Sequence, residues 1–166
     1  MAFNTVFIST DDVVRECIPD SSFDKARLSK FILPAQRHYL RPFVGEDMYN
    51  TLLSERQDNG LSVENQTLYD SFLVPMLAWY TLYDAFPQIR NHITSAGIMV
   101  NDTEFSQQSS REDYAGLRNH ALAQAERWRK DTKQFIKDEQ ELDSTKYSDF
   151  DDCKESPSNK YGFILY

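Results

Sequence analysis

"VENQTLYDSFLVPMLAWYTLYDAF", residues 63–86, is the most apolar stretch of the chain. Leu68, Phe72, Leu73, Met76, Trp79, Tyr80 and Tyr83 recur in it at helical intervals. They cover more than one face. A helix apolar nearly all round belongs in a core or an oligomer interface, so the remaining segments are expected to pack around this one. Pro75 predicts a kink, and Pro87 is expected to open the connection to the next region.

Working upstream, Thr10-Asp11-Asp12 before "VVREC" reads as a hydroxyl N-cap with acids in the first turn, starting a short helix that stops at Pro19. Ser21-Ser22 offers a second cap, for a helix carrying Leu28, Phe31, Ile32, Ala35 and Tyr39, with a kink or break expected at Pro34. Pro42 and Gly45 punctuate before a third helix, whose Met48, Leu52 and Leu53 form an apolar stripe. Asn59-Gly60 reads as a turn.

Downstream, "ITSAGIMVNDTEFSQQSSRED", residues 93–113, interrupts the helical pattern with a β-prone run followed by mostly polar residues. It offers amides, hydroxyls and scattered acids, which suits a projecting contact element better than a catalytic loop. Ile98, Met99, Val100 and Phe105 are its candidate interface residues, with "GIMV" expected to pair with a partner or with its own return strand "TEF", residues 103–105. A long helix follows over about 110–140, capped by Ser110, with Tyr114, Leu117, Ala121, Ala125, Trp128, Thr132 and Phe135 at three- and four-residue spacing. Some thirty residues would span about 45 Å at ~1.5 Å per residue. Such length predicts that part of the helix extends past its own core or lies against a neighbour.

The expected organisation is therefore mainly α: a small helical bundle over 1–141 with a projecting loop or β-hairpin at about 93–110, and an acidic, extended tail over 142–166. The tail's composition predicts little order by itself. Its end, "YGFILY", places Tyr161, Phe163, Ile164, Leu165 and Tyr166 as anchors for docking on another subunit.

Chemistry is sparse. His38, His92 and His120 sit on three separate elements without ligand spacing, and no nucleophile elbow, phosphate loop or zinc-protease motif occurs. "DFDDCKE", from Asp149, lacks the oxygen ligand and glycine of a calcium loop at its fifth and sixth positions. Cys17 and Cys153 read as free thiols. No catalytic, metal or cofactor residue is assigned. A basic cluster around Trp128, in which Lys130, Lys133 and Lys137 share a face, could contact phosphates or an acidic neighbour, or could simply complement a helix C-terminus.

The 166 residues suffice for one domain with a core, and 40% are hydrophobic. With 18 basic against 26 acidic residues the net charge is -8, which disfavours a dedicated nucleic-acid binder and suits either a wall past which DNA slides or simple solubility. The absence of a leader pattern or a long apolar run predicts a soluble chain, intracellular when made.

"FILPAQRHYLRPFVGEDMYNTLL", residues 31–53, resembles a pattern in head-tail connector proteins of tailed bacteriophages. Ala35-Gln36, Tyr39-Leu40, Pro42, Val44-Gly45, Met48-Tyr49 and Leu52 carry it. "TSAGIMVN", a polar run and a long helix holding Glu126, Trp128 and Phe135 are similar to connector-like proteins of Bacteroidetes phages, including the crAss-like gut phages. The resemblance implies a structural, non-enzymatic virion protein. It would form a homo-oligomeric ring, commonly of about twelve subunits, that docks on the portal protein and on other tail or ring proteins. DNA would pass through without sequence-specific binding, and no membrane would be involved. Assembly would take place in the host cytoplasm. The competing expectations are a non-viral helical adaptor that binds one protein through the 68–83 helix, and an enzyme whose carboxylates converge only on folding.

Overall fold

The computed structural model describes residues 5–18, 25–58, 60–94, 97–100 and 111–150. Within them the chain is mostly helical and forms a small bundle of five continuous helical rods. The first is α1, Thr10–Cys17. The second joins α2 (Ala26–Ala35), a π-helical turn π1 (Gln36–Leu40) and α3 (Arg41–Val44). The third is α4, Glu46–Asp58. The fourth joins α5 (Val63–Leu68), a second π turn π2 (Tyr69–Leu73) and α6 (Val74–Arg90). The fifth is α7, Arg111–Leu142.

The apolar 63–86 stretch takes the central place expected of it. Leu73, Val74, Met76, Leu77 and Ala78 are consecutively buried around Pro75, and α6 packs against α1, α2 and α7. All-round burial within its own chain explains its all-round apolarity.

Both compound rods follow one local frame. Tyr39-Leu40-Arg41-Pro42-Phe43-Val44 and Phe72-Leu73-Val74-Pro75-Met76-Leu77 each place a proline two residues after a π turn. The turns are closed by bonds from the Arg41 N–H to the Gln36 carbonyl and from the Val74 N–H to the Tyr69 carbonyl. Proline lacks an N–H and crowds the carbonyl one turn earlier. Widening the preceding turn shifts the hydrogen-bond frame and relieves that crowding, so the rod bends around the proline instead of ending. Pro34 is likewise retained inside α2, and Pro87 lies inside α6, which runs on to Arg90. The expected stops at Pro42 and Pro87 are thus corrected. The chain turns at Gly45, whose φ of 83° and ψ of 163° only glycine adopts readily.

The first cap is Ser9 rather than Thr10: its hydroxyl accepts from the Asp12 N–H at 3.2 Å, and the Asp12 carboxylate accepts from the Ser9 N–H at 2.8 Å. The reciprocal pair is a capping box. Ser62 caps α5, while Ser21-Ser22 and Ser110 lie outside the described residues.

Between α6 and α7, β1 (Asn91–Thr94) and β2 (Gly97–Val100) pair antiparallel, with Asn91 opposite Val100 and Thr94 opposite Gly97. The strand before β2 is therefore its described partner, and residues 103–105 lie outside the described set.

The 32 residues of α7 are supported along most of their length. The α5-π2-α6 rod runs alongside in the opposite direction, with Phe86 beside Tyr114, Tyr80 bonded to Glu126 and Phe72 stacked on Phe135. At ~1.5 Å per residue the two rods are about 42 and 48 Å long, so α7 lies along a rod of its own chain for most of its length. Residues 143–150, assigned to the tail, turn back onto the bundle. The Tyr147 hydroxyl donates to the Glu64 carbonyl at 2.8 Å, and Phe150 is buried edge-on to Phe43.

Candidate functional site

Glutamine is an unusual residue on the buried face of a helix, and Gln36 is 1% exposed. It sits in π1 among Ile32, Ala35 and Leu40, and every polar atom of its amide is used. The Oε1 atom accepts from the Phe7 N–H at 2.9 Å, and Nε2 donates to the Thr5 carbonyl at 3.1 Å and to the Tyr49 hydroxyl at 2.7 Å. The Tyr69 hydroxyl donates to the Phe7 carbonyl. The segment before α1 is thereby fastened between three rods, with the Phe7 ring buried against Tyr49 and Tyr69. Sequence reasoning missed this clamp. The available signal was one amide falling in an otherwise apolar helical register.

A second polar seam joins π1, α6 and α7. The rings of Tyr39 and Tyr80 stack 3.9 Å apart, with the Tyr39 hydroxyl donating to Asp84 at 3.0 Å and the Tyr80 hydroxyl to Glu126 at 2.8 Å. Burial, then the adjoining carboxylates, pushes both phenols well above their ordinary value, so they stay neutral donors. Burial also raises Asp84, against the Tyr39 hydrogen bond and the charges of His38 and Arg118. The Arg118 guanidinium lies 4.3 Å from the centre of the Tyr83 ring. The two carboxylates are each bound to a separate tyrosine, an arrangement that joins helices.

No group of His, Cys, Asp and Glu suited to a metal occurs among the described residues. His38 and His120 are exposed on separate rods. Burial pushes the Cys17 thiol far up, which suppresses its thiolate.

On the continuous α7, Lys130, Lys133 and Lys137 share a face, while the other members of the basic cluster take separate environments. Trp128 turns inward against the core, Arg129 lies over the Phe43 ring at 5.3 Å, Lys130 is exposed, and Lys133 and Lys137 are half-buried with interactions of their own. Because α7 runs to Leu142 with no basic residue in its last turn, these cations do not complement its C-terminus. Ile98, Met99 and Val100 lie on β2, while Phe105, Tyr161, Phe163, Ile164, Leu165 and Tyr166 lie outside the described residues.

Two grooves flank α4 on nearly opposite sides. One, of roughly 260 Å³, runs along Met48, Thr51 and Leu52 and is rimmed by Glu64, Asp143 and Asp149. The other, of roughly 230 Å³, runs along Tyr49, Asn50 and Leu53 and is rimmed by Arg37, Arg41 and Glu46.

A family model matches residues 40–160, which is 121 of the 166 positions, and is described as a family of unknown function, DUF6712. The chain belongs to the DUF6712 family. No curated protein and no solved structure matches it. The match takes in Gly45, Tyr49, the β-hairpin and all of α7, so the DUF6712 region contains much of the bundle, the Met48–Leu52 groove, and all of the other α4 groove but Arg37.

Proposed function

We propose that this DUF6712 chain is a structural subunit of the head-to-tail connector of a tailed phage. It acts without catalysis, assembles as a ring below the portal and continues the DNA channel toward the tail. The observation that carries the reading is the role of the residues on which the resemblance rests. Ala35, Gln36, Leu40, Met48, Tyr49 and Leu52 are all buried, and Gly45 makes the break between two rods. The shared pattern is thus a folding unit, as expected of a family defined by shape rather than by reactive groups. The hairpin after α6 supports the same reading as the element that reaches a neighbouring subunit. Its location would be the virion; the described helices include none long and apolar enough to cross a membrane.

The test is native mass spectrometry of the full chain, alone and with the portal protein of the same phage. A closed ring of about a dozen copies, alone or on the portal, is the expected outcome. Monomers under both conditions would overturn the reading in favour of a single-partner adaptor.

A further inference from the structure

Charge is segregated along this acidic chain. Residues 25–45 hold Lys25, Arg27, Lys30, Arg37 and Arg41 and no Asp or Glu, so the remaining positions carry 13 basic against 26 acidic residues. The stretch is the α2-π1-α3 rod. Its inward side is Leu28, Ile32, Ala35, Gln36, Leu40, Phe43 and Val44, and Lys30, Arg37 and Arg41 are exposed. Lys30 to Arg41 covers about 16 Å at ~1.5 Å per residue. Arg37 and Arg41 then rim one α4 groove, where Arg41 makes a two-pronged pair with Glu46 at 2.6 Å for each bond.

On the other flank of α4 the sign reverses. Glu64, Asp143 and Asp149 are exposed around the larger groove, and its one cation among the described residues, Lys146, is held by Glu139 at 2.6 Å. A single copy cannot bring its two flanks together. A second copy can.

We infer that the basic strip Lys30–Arg37–Arg41 of one copy docks against the acidic groove Glu64–Asp143–Asp149 of the next. The inference rests on the ring reading and names the surfaces that would close the ring. Because the strip and the groove lie on opposite flanks of one helix, a twofold contact matches neither to its complement. A head-to-tail contact matches both, and repeats into a ring when the rotation closes. Nucleic acid is the less suitable occupant: the strip is a minority charge on a chain whose net charge of -8 repels phosphate at range. An identical chain supplies the complementary carboxylates at a groove of matching scale.

The decisive experiment is complementary charge reversal in the full-length chain, with association followed by light scattering across concentration and salt. Wild type is expected to associate and to weaken as salt rises. Arg37→Glu with Arg41→Glu, and Asp143→Lys with Asp149→Lys, should each weaken self-association at least about tenfold. An equimolar mixture of the two variants should restore association, since each then meets its complement; circular dichroism confirms that both remain helical. Wild-type association in both variants would overturn the inference while leaving the ring reading intact, its interface lying elsewhere. A wild-type chain that stays monomeric alone and forms a ring only on the portal, with both variants still entering that ring, overturns it in the same way. Loss of binding to a labelled DNA duplex in the arginine variant, with self-association unchanged, would assign the strip to nucleic acid instead.

Discussion

The amide of Gln36 shows what one polar residue does inside an apolar bundle. It joins the Phe7 N–H, the Thr5 carbonyl and the Tyr49 hydroxyl, all from segments distant in sequence. Gln36→Leu retains the bulk and strands those partners away from water, so it should cost about 3 kcal/mol in urea unfolding, well above the loss of one surface hydrogen bond. Asp12 belongs to the same scale. Burial acts to raise its carboxyl, but hydrogen bonds from the Ser9 backbone and hydroxyl, with Arg15, hold it below the ordinary value of 3.8. A depressed folded value means that its contribution is present above the unfolded value and is lost as pH falls through the folded one. Asp12→Ala should therefore destabilise by about 1 kcal/mol near neutral pH, and the gap to wild type should shrink in unfolding curves taken at about pH 3.

At the scale of elements, two glycines make opposite forecasts. Gly45 holds φ 83° with its prospective Cβ no nearer than 4.0 Å to the Asp149 carbonyl, so the obstacle to a side chain is conformational rather than steric. Gly45→Ala should cost about 1–3 kcal/mol. Gly116 sits within α7 with open space around it, and Gly116→Ala should stabilise by about 0.5–1 kcal/mol. Thermal melts of the two variants should move in opposite directions. The same pair marks how far the elements were legible. Apolar periodicity located four of the five rods, because burial on one stripe dictates spacing whatever the partner, and a capping signal located α1. Proline misled at positions 42 and 87, because a π turn or a final helical turn absorbs a missing donor, and local sequence does not reveal whether the surroundings make that worthwhile. Clamp, tyrosine seam and grooves were illegible for a related reason. Each is assembled from residues far apart in sequence, such as Tyr39 with Asp84 or Met48 with Asp149.

At the scale of the molecule, the bundle is completed from both ends of the described chain. Phe150 lies eight residues past the end of α7, yet is 5% exposed, against Phe43. Phe150→Ala should cost about 3–4 kcal/mol, and chain ended at Leu142 should melt lower still, because Tyr147 is lost as well. Composition alone assigned these residues to an acidic tail, since two aromatic side chains in a charged stretch look unremarkable until the receiving hollow exists. The proposed self-association belongs to this scale too: a flank-to-flank contact between charged rims would make salt, more than temperature, govern assembly.

The segment before α1 carries a further consequence, for synthesis. Phe7 leaves the ribosome before the groups that hold it, Gln36, Tyr49 and Tyr69, which are translated as many as 62 residues later. Phe7 is thus made before the groups that place it, and until the fourth rod emerges the nascent chain presents an aromatic side chain with nowhere to go.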